Sequence, residues 1–427
     1  MSVSAEVLLW GRRIGVVALA DGQSVASFEY DHEFLESRIQ PSPIVMPLAG
    51  RVFSFPELSN ESFHGLPGLL ADSLPDKFGN AVIDAWLDAQ GRPRGSMNAI
   101  ERLCYTGMRG MGALEYQPAL GPAYSATDEL DLVQLTKLAQ SILAQRQELH
   151  APADTDGLEQ IIRIGTSAGG ARAKALVAWN EQTQELRSGQ VDSGPGFTQW
   201  LLKFDGIAAN ADKEDADAPC YTRIEYAYYL MAREAGIAMS ECRLLEEGNR
   251  RHFMTKRFDR TSNGNKLHMQ SLGALAHFDF NVAGAHSYEE TADVMRRIGL
   301  GQGEVDELYR RMVFNVLARN QDDHVKNIAF LMDRSGRWSL APAFDMTYAY
   351  KPGGAWTGSH QMRVNGKRDD ISHDDLLACA RHISLREHKA NTIIEGVRSA
   401  VAQWSSFAQT AEVPEQQAVA IAQELLI

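Results

Sequence analysis

The segment Asn320-Gln321-Asp322-Asp323-His324-Val325-Lys326-Asn327 concentrates acid, amide and imidazole groups, and Asp345 follows beyond a predicted hairpin. An aspartate followed five residues later by an asparagine, with a second aspartate past a hairpin, is the spacing phosphoryl transfer uses. That chemistry asks the protein to position phosphates, hold magnesium and orient an attacking hydroxyl beside a proton acceptor. Asp322 is therefore the candidate catalytic residue, and Asn327 with Asp345 are candidate magnesium ligands through hard oxygen donors. Lys326 offers charge to the transferring group.

Two further segments supply a phosphate side. Gly165-Thr166-Ser167-Ala168-Gly169-Gly170-Ala171-Arg172-Ala173-Lys174 can form a tight turn whose backbone amides approach phosphate oxygens. It lacks the Gly-Lys-Ser/Thr ending of a Walker A loop, and strand signal follows it rather than a helix, against a dinucleotide fingerprint. Lys203 lies inside the apolar run Trp200 to Phe204 and needs an anionic partner there; Glu225, on the next predicted helix, is a candidate orienting carboxylate. Taken singly, each segment has a plainer reading: a polar loop, a glycine-rich hairpin, an edge-strand lysine. A hydrolytic metal site on Asp322, Asp323 and His324 would need a second cluster. The one available, His373-Asp374-Asp375, follows Ser372 at capping-box spacing, as a helix start would.

Positioning these groups takes a sheet-rich part and a helix-rich part. Val3 to Phe28 reads as short strands, and Lys77 to Leu87 carries apolar residues at helical spacing. Ala151 to Asp156, with Pro152, Asp154 and Asp156 and then Gly157, reads as a loop and suggests a boundary near residue 150. Strands then come in pairs, with Thr222 to Ala235 as a helix between them. From residue 287 the periodicity is helical, except for a hairpin of Ile328 to Leu331 and Trp338 to Leu340. The expected fold is α+β, two-lobed and protein-kinase-like. Residues 1–150 form an N-terminal mixed β/α subdomain, 151–262 a β-rich nucleotide-binding lobe, and 263–427 an all-helical catalytic lobe around that hairpin.

Composition narrows the classes. Among 427 residues, 42 basic against 55 acidic side chains give a net charge of -13, which disfavours direct binding to a phosphate backbone. The four cysteines, Cys104, Cys220, Cys242 and Cys379, show no zinc spacing and read as buried free thiols. Met1 to Trp10 has no secretion-signal pattern and no run reaches the roughly 20 apolar residues of a membrane span, so a cytoplasmic protein without membrane contact is expected.

Together these motifs resemble the HipA-type serine/threonine kinases, toxins of bacterial toxin–antitoxin pairs. Gly65-Leu66-Pro67-Gly68-Leu69-Leu70-Ala71-Asp72-Ser73-Leu74-Pro75-Asp76 and Arg109-Gly110-Met111-Gly112-Ala113-Leu114 are similar to that family's N-terminal region, and Arg257-Phe258-Asp259-Arg260 to its hinge. The resemblance implies that ATP is surrounded by Gly169, Gly170, Ala171, Arg172, Ala173, Lys174, Lys203, Lys256, Arg257, Phe258, His324, Val325, Lys326, Asn327, Phe344 and Asp345. It also implies catalysis by Asp322, Mg2+ on Asn327 and Asp345, and autophosphorylation of Ser167. A protein substrate is implied, an aminoacyl-tRNA synthetase being the first to consider, and a helix-turn-helix antitoxin through which alone DNA is bound. Arg172-Ala173 and Lys256 depart from residues often found at those family positions. A small-molecule kinase and a catalytically silent nucleotide-binding partner of an antitoxin are the alternatives.

Overall fold

The computed structural model describes residues 2–121, 129–145, 172–190, 193–207 and 220–427. The chain opens with β1 (Val3–Leu9), β2 (Arg12–Leu19), β3 (Ser27–Tyr30), β4 (Val52–Phe53) and β5 (Leu114–Gln117), in the antiparallel order β4-β3-β2-β1-β5. Alternation of Ala5, Val7 and Leu9 puts one side of β1 into a core with Ile14, Val17 and Phe28. The single turns α1 (His32–Leu35), α2 (Asn60–Phe63) and α3 (Gly68–Ala71) and the helices α4 (Lys77–Ala89) and α5 (Ala99–Thr106) lie between these strands in the chain, and α6 (Leu132–Gln145) follows β5.

The second sheet joins β6 (Lys174–Trp179), β7 (Leu186–Ser188), β8 (Thr198–Lys203), β9 (Cys242–Glu247) and β10 (Arg250–Lys256) in the order β7-β6-β8-β10-β9, with α7 (Tyr221–Glu234) packed against β9 and β10. One face of this sheet is covered from before residue 150. Phe78, Val82 and Ile83 of α4 and Leu135 and Ala139 of α6 share a core with Ala175, Val177 and Leu202.

The C-terminal lobe contains α8 (Leu272–Ala276), α9 (Tyr288–Arg297), α10 (Gln302–Leu317), α11 (His373–His382), α12 (Glu387–Val401), α13 (Trp404–Thr410) and α14 (Glu415–Glu424). It is not all-helical: β11 (His268–Ser271) pairs with the predicted hairpin β12 (Ala329–Met332) and β13 (Trp338–Leu340), making a three-stranded sheet. β11 carries no apolar alternation, because its buried residues are His268, Gln270 and Ser271. The central helix α10 buries Leu308, Met312, Phe314 and Val316 against Tyr228 of α7 and Ile394 and Val397 of α12.

The two N-terminal motifs are contact surfaces. A Cβ on Gly68 would meet the Ala274 carbonyl at 2.3 Å, so only glycine lets α3 lie this close to α8. Asp72 accepts hydrogen bonds from the Ser271 amide (2.6 Å) and hydroxyl (2.8 Å). The Gly112 amide, at φ +75°, donates to Asp259 Oδ2 at 2.7 Å, tying the hinge to the first sheet. Among the described residues no helix is long and apolar enough to cross a membrane, and the four cysteines are free and buried.

Candidate active site

The loop between α10 and β12 is held by one aspartate and leaves the other available. Asp323 is buried: its Oδ2 accepts from the Tyr288 hydroxyl (2.9 Å) and lies 3.0 Å from His360 Nδ1, while Oδ1 accepts from the Gln361 amide (2.8 Å). Burial pushes this carboxyl up, but His360 and the donated hydrogen bonds outweigh it and hold it below the usual value. An Asp323→Asn protein should be about 2–3 kcal/mol less stable to urea, because an amide cannot accept on both sides and leaves a buried donor unpaired. A stability within experimental error of wild type would refute that anchoring role.

Asp322 points the other way and its side chain is 30% exposed, with His324 Nε2 at 3.8 Å. The Trp356 indole donates to its Oδ1 at 2.6 Å, which fixes the carboxyl and leaves Oδ2 for another partner. A single 3-10 turn, Val325–Asn327, brings the chain back on itself, so that Asn327 Nδ2 donates to the Asp322 carbonyl at 2.9 Å. The Val325 side chain roots this turn in the C-terminal core. Asn327 thus keeps its amide oxygen for a ligand.

Asp345 adopts φ +52°, a left-handed conformation that aspartate tolerates better than bulkier residues. Its carboxylate accepts from the Lys203 ammonium at the end of β8, whose Nζ also lies 2.6 Å from Glu225 Oε1 on α7. Burial raises the Asp345 carboxyl, yet Lys203 and then Lys174 pull it down to about 2. Burial alone would lower Lys203, but its two carboxylates hold it well above the ordinary lysine value. Glu225, 2% exposed, stays above the usual carboxylate value because burial outweighs the Lys203 attraction. The Gln321 amide donates to the Ala349 carbonyl at 3.0 Å, so the segment that follows Asp345 runs beside the loop, and the His324 charge helps to lower the Asp345 carboxyl.

The other expected residues divide. Lys174 is buried and ion-paired with Asp76 at 3.1 Å. Ala173 is buried beside it, and the Arg172 guanidinium lies 4.2 Å above the Tyr221 ring. Phe258 and Phe344 meet with ring centroids 5.5 Å apart, which sets the hinge next to Asp345. Arg257 is engaged with Asp259 at 2.7 Å, and Lys256 is a half-exposed strand end 3.7 Å from Glu241. The Lys326 ammonium rests 4.4 Å from the Phe280 ring centroid, and Lys326 lines a small cavity with Ser62, Gly68 and Asp72 of the N-terminal part; no contact with Asp345 accompanies it among the described residues. Ser167, Gly169, Gly170 and Ala171 lie outside the described residues. Of the rival cluster, Asp375 closes the capping box with Ser372 at the start of α11. Trp356 and Asp76 are site residues that spacing did not reveal; Asp76 had a motif around it but no chemistry attached.

The family model described as HipA-like C-terminal domain matches residues 166–404, more than half of the chain, and that of the HipA N-terminal domain matches residues 5–117. The chain belongs to the HipA family. The toxin–antitoxin complex of HipA, HipB and operator DNA from Shewanella oneidensis MR-1 contains a chain similar to it at TM-score 0.67. That similarity covers 99% of this chain and 96% of that one at 15% identity, and is a likeness of fold. The curated protein "Putative kinase Y4dM" of Sinorhizobium fredii is 28% identical over 181 residues, 38% of this chain and 43% of that protein's length. The match therefore spans less than half of that relative. This HipA-family chain has the α+β, two-lobed, kinase-like fold expected from its motifs.

Proposed function

We propose that this HipA-family chain is an ATP- and magnesium-dependent kinase that phosphorylates serine or threonine hydroxyls of a protein. The observation that carries the reading is the division of labour between Asp322 and Asp345. One carboxylate is open and oriented by an indole, and the other is held ionised beside a buried lysine. Such a pair suits a proton acceptor and a metal ligand respectively.

The residues fit the nucleotide and its metal. Lys174 and Lys203 are each already paired with a carboxylate, and Asp322 and Asp345 stand beside them with oxygens that a cation could share. The buried Glu225 Oε2 and His324 Nδ1 have no hydrogen-bond partner among the described residues. Asn327 and Asp345 would hold magnesium, and bound Mg-ATP would supply the phosphoryl group and screen its charge. Lys203 and Lys174 would receive phosphate oxygens, while Phe258 and Phe344 border the nucleotide on its hinge side. Asp322 Oδ2 would take the proton of the attacking hydroxyl, with Oδ1 kept in place by Trp356. Asp323 keeps the loop rigid throughout.

Ser167 is the proposed self-modification site, where phosphate would add about -1.5 to -2 charge beside the phosphate-binding groups and turn the enzyme off. A helix-turn-helix antitoxin is the proposed partner and the route to DNA, consistent with the net charge of -13 and with a cytoplasmic location. An aminoacyl-tRNA synthetase is the first substrate to test. Incubating the chain with host lysate, Mg2+ and γ-labelled ATP should mark serine or threonine in discrete proteins, read by mass spectrometry. Label found only in a metabolite would make it a small-molecule kinase. Bound nucleotide with no transfer to anything would leave a silent regulatory module.

A further inference from the structure

Lys174 and Lys203 stand directly opposite each other in the antiparallel β6–β8 pair, and both are buried. Side chains so placed have Cβ atoms about 4.5–5.5 Å apart, and like charges there repel. Carboxylates must separate the two. Lys203 is held by Glu225 and Asp345. Lys174 is held by Asp76, whose Oδ2 lies 3.1 Å from Nζ with side chains 2% and 4% exposed. Asp76 Oδ1 meanwhile accepts from the Gly79 amide at 2.6 Å as the N-cap of α4. That helix is seated on the second sheet by Phe78, Val82 and Ile83. Lys174 in turn acts on the Asp345 charge, so one chain of alternating charges runs Asp76, Lys174, Asp345, Lys203, Glu225.

We propose that Asp76 is a positioning residue: from the N-terminal part of the chain, it aims the Lys174 ammonium at the phosphates, so that phosphate capture depends on α4 being seated. This rests on the kinase reading. Without the Asp76 charge, Lys174 loses the buried carboxylate that holds its ammonium, while Asp345, which already binds Lys203, still attracts it. Lys174 would then move onto Asp345, withdrawing a cation from the phosphates and competing for the carboxylate that would hold the metal.

Asparagine caps helices as well as aspartate does, so Asp76→Asn keeps the bond from Gly79 and removes only the charge. Asp76→Ser, also a capping residue, is the second variant should the first fold poorly. The full chain and these variants are compared for affinity to a non-hydrolysable ATP analogue, affinity to adenosine, and phosphotransfer. The expected result is an analogue affinity lower by about tenfold, adenosine affinity unchanged within about twofold, and no additional loss when Asp76→Asn is combined with Lys174→Met. Equal analogue binding and transfer by wild type and variants would overturn the positioning role alone. A parallel loss of adenosine and analogue affinity would overturn it too, since that is what a purely structural residue produces. Wild type that binds no nucleotide, or binds it without transferring phosphate, would remove the kinase reading and this proposal with it.

Discussion

Asp322→Asn should lower phosphotransfer by roughly 10²–10⁴-fold, the usual range for loss of a positioned proton acceptor, while nucleotide affinity stays within about twofold. Asparagine keeps an oxygen where Trp356 donates, and the Asp322 backbone carbonyl still receives the Asn327 amide, so the loop should hold its shape. The replaced carboxyl is partly exposed and its one ionisable neighbour among the described residues, His324, stands at 3.8 Å, so the fold should lose no more than about 0.5 kcal/mol. The variant therefore separates chemistry from binding. Titration with a non-hydrolysable ATP analogue and single-turnover labelling on the same preparation make the measurement. Transfer within about threefold of wild type would remove Asp322 from the chemistry and place the proton acceptor elsewhere.

The contrast with Asp323 also shows what a sequence can disclose. Adjacent loop residues point in different directions, so two neighbouring aspartates must differ in role, and the Asn327 spacing singles out Asp322. The partners that make the difference are remote. Trp356 stands in Lys351-Pro352-Gly353-Gly354-Ala355-Trp356, a stretch without periodicity, and His360 and Gln361 reach Asp323 from beyond it. No local pattern announces which indole or imidazole a loop will meet.

Elements were legible in proportion to their length and alternation. The β12–β13 hairpin has apolar runs on either side of an Asp333–Gly336 turn, and α12 repeats buried Ala390, Ile393, Ile394 and Val397 at helical spacing. The short helix α13 buries only Trp404 and Ala408, too few to set a period, and β11 buries polar groups. The apolar stripe of α4 was visible, but its destination was not. Phe78 and Val82 share a core with residues of β6 and β8, strands that follow by about a hundred residues, and Asp76 reaches Lys174 for the same reason. Long-range pairing depends on topology, which amphipathic spacing leaves open.

Replacing Lys203 by methionine tests the other half of the site and should have the largest effect on stability. Methionine fills much of the lysine stem but leaves Glu225 Oε1 and the Asp345 carboxylate facing each other without the ammonium between them. Removing one partner of a buried ion cluster costs about 3–5 kcal/mol at neutral pH, and nucleotide affinity should fall with it. Acid should reveal the mechanism. In wild type, the Asp345 value of about 2 lies below its ordinary 3.8, so its contribution of about 2 kcal/mol is present above pH 4 and lost as pH falls towards 2. In Lys203→Met that acid-sensitive contribution shrinks, because its main cation is gone. Glu225, already held above the usual value by burial, loses its counter-charge and rises further. A raised carboxyl destabilises the fold above its folded value, and the penalty is relieved as pH falls towards the unfolded value of about 4.5. The deficit of Lys203→Met against wild type should thus be widest at neutral pH and narrow towards pH 4. Urea unfolding at several pH values measures it. Adding Glu225→Gln should restore part of the stability and none of the nucleotide affinity, because it removes the stranded charge without replacing the cation that meets the phosphates. A deficit independent of pH would mean that methionine acts through packing, and that the lysine is not the counter-charge holding Asp345 ionised.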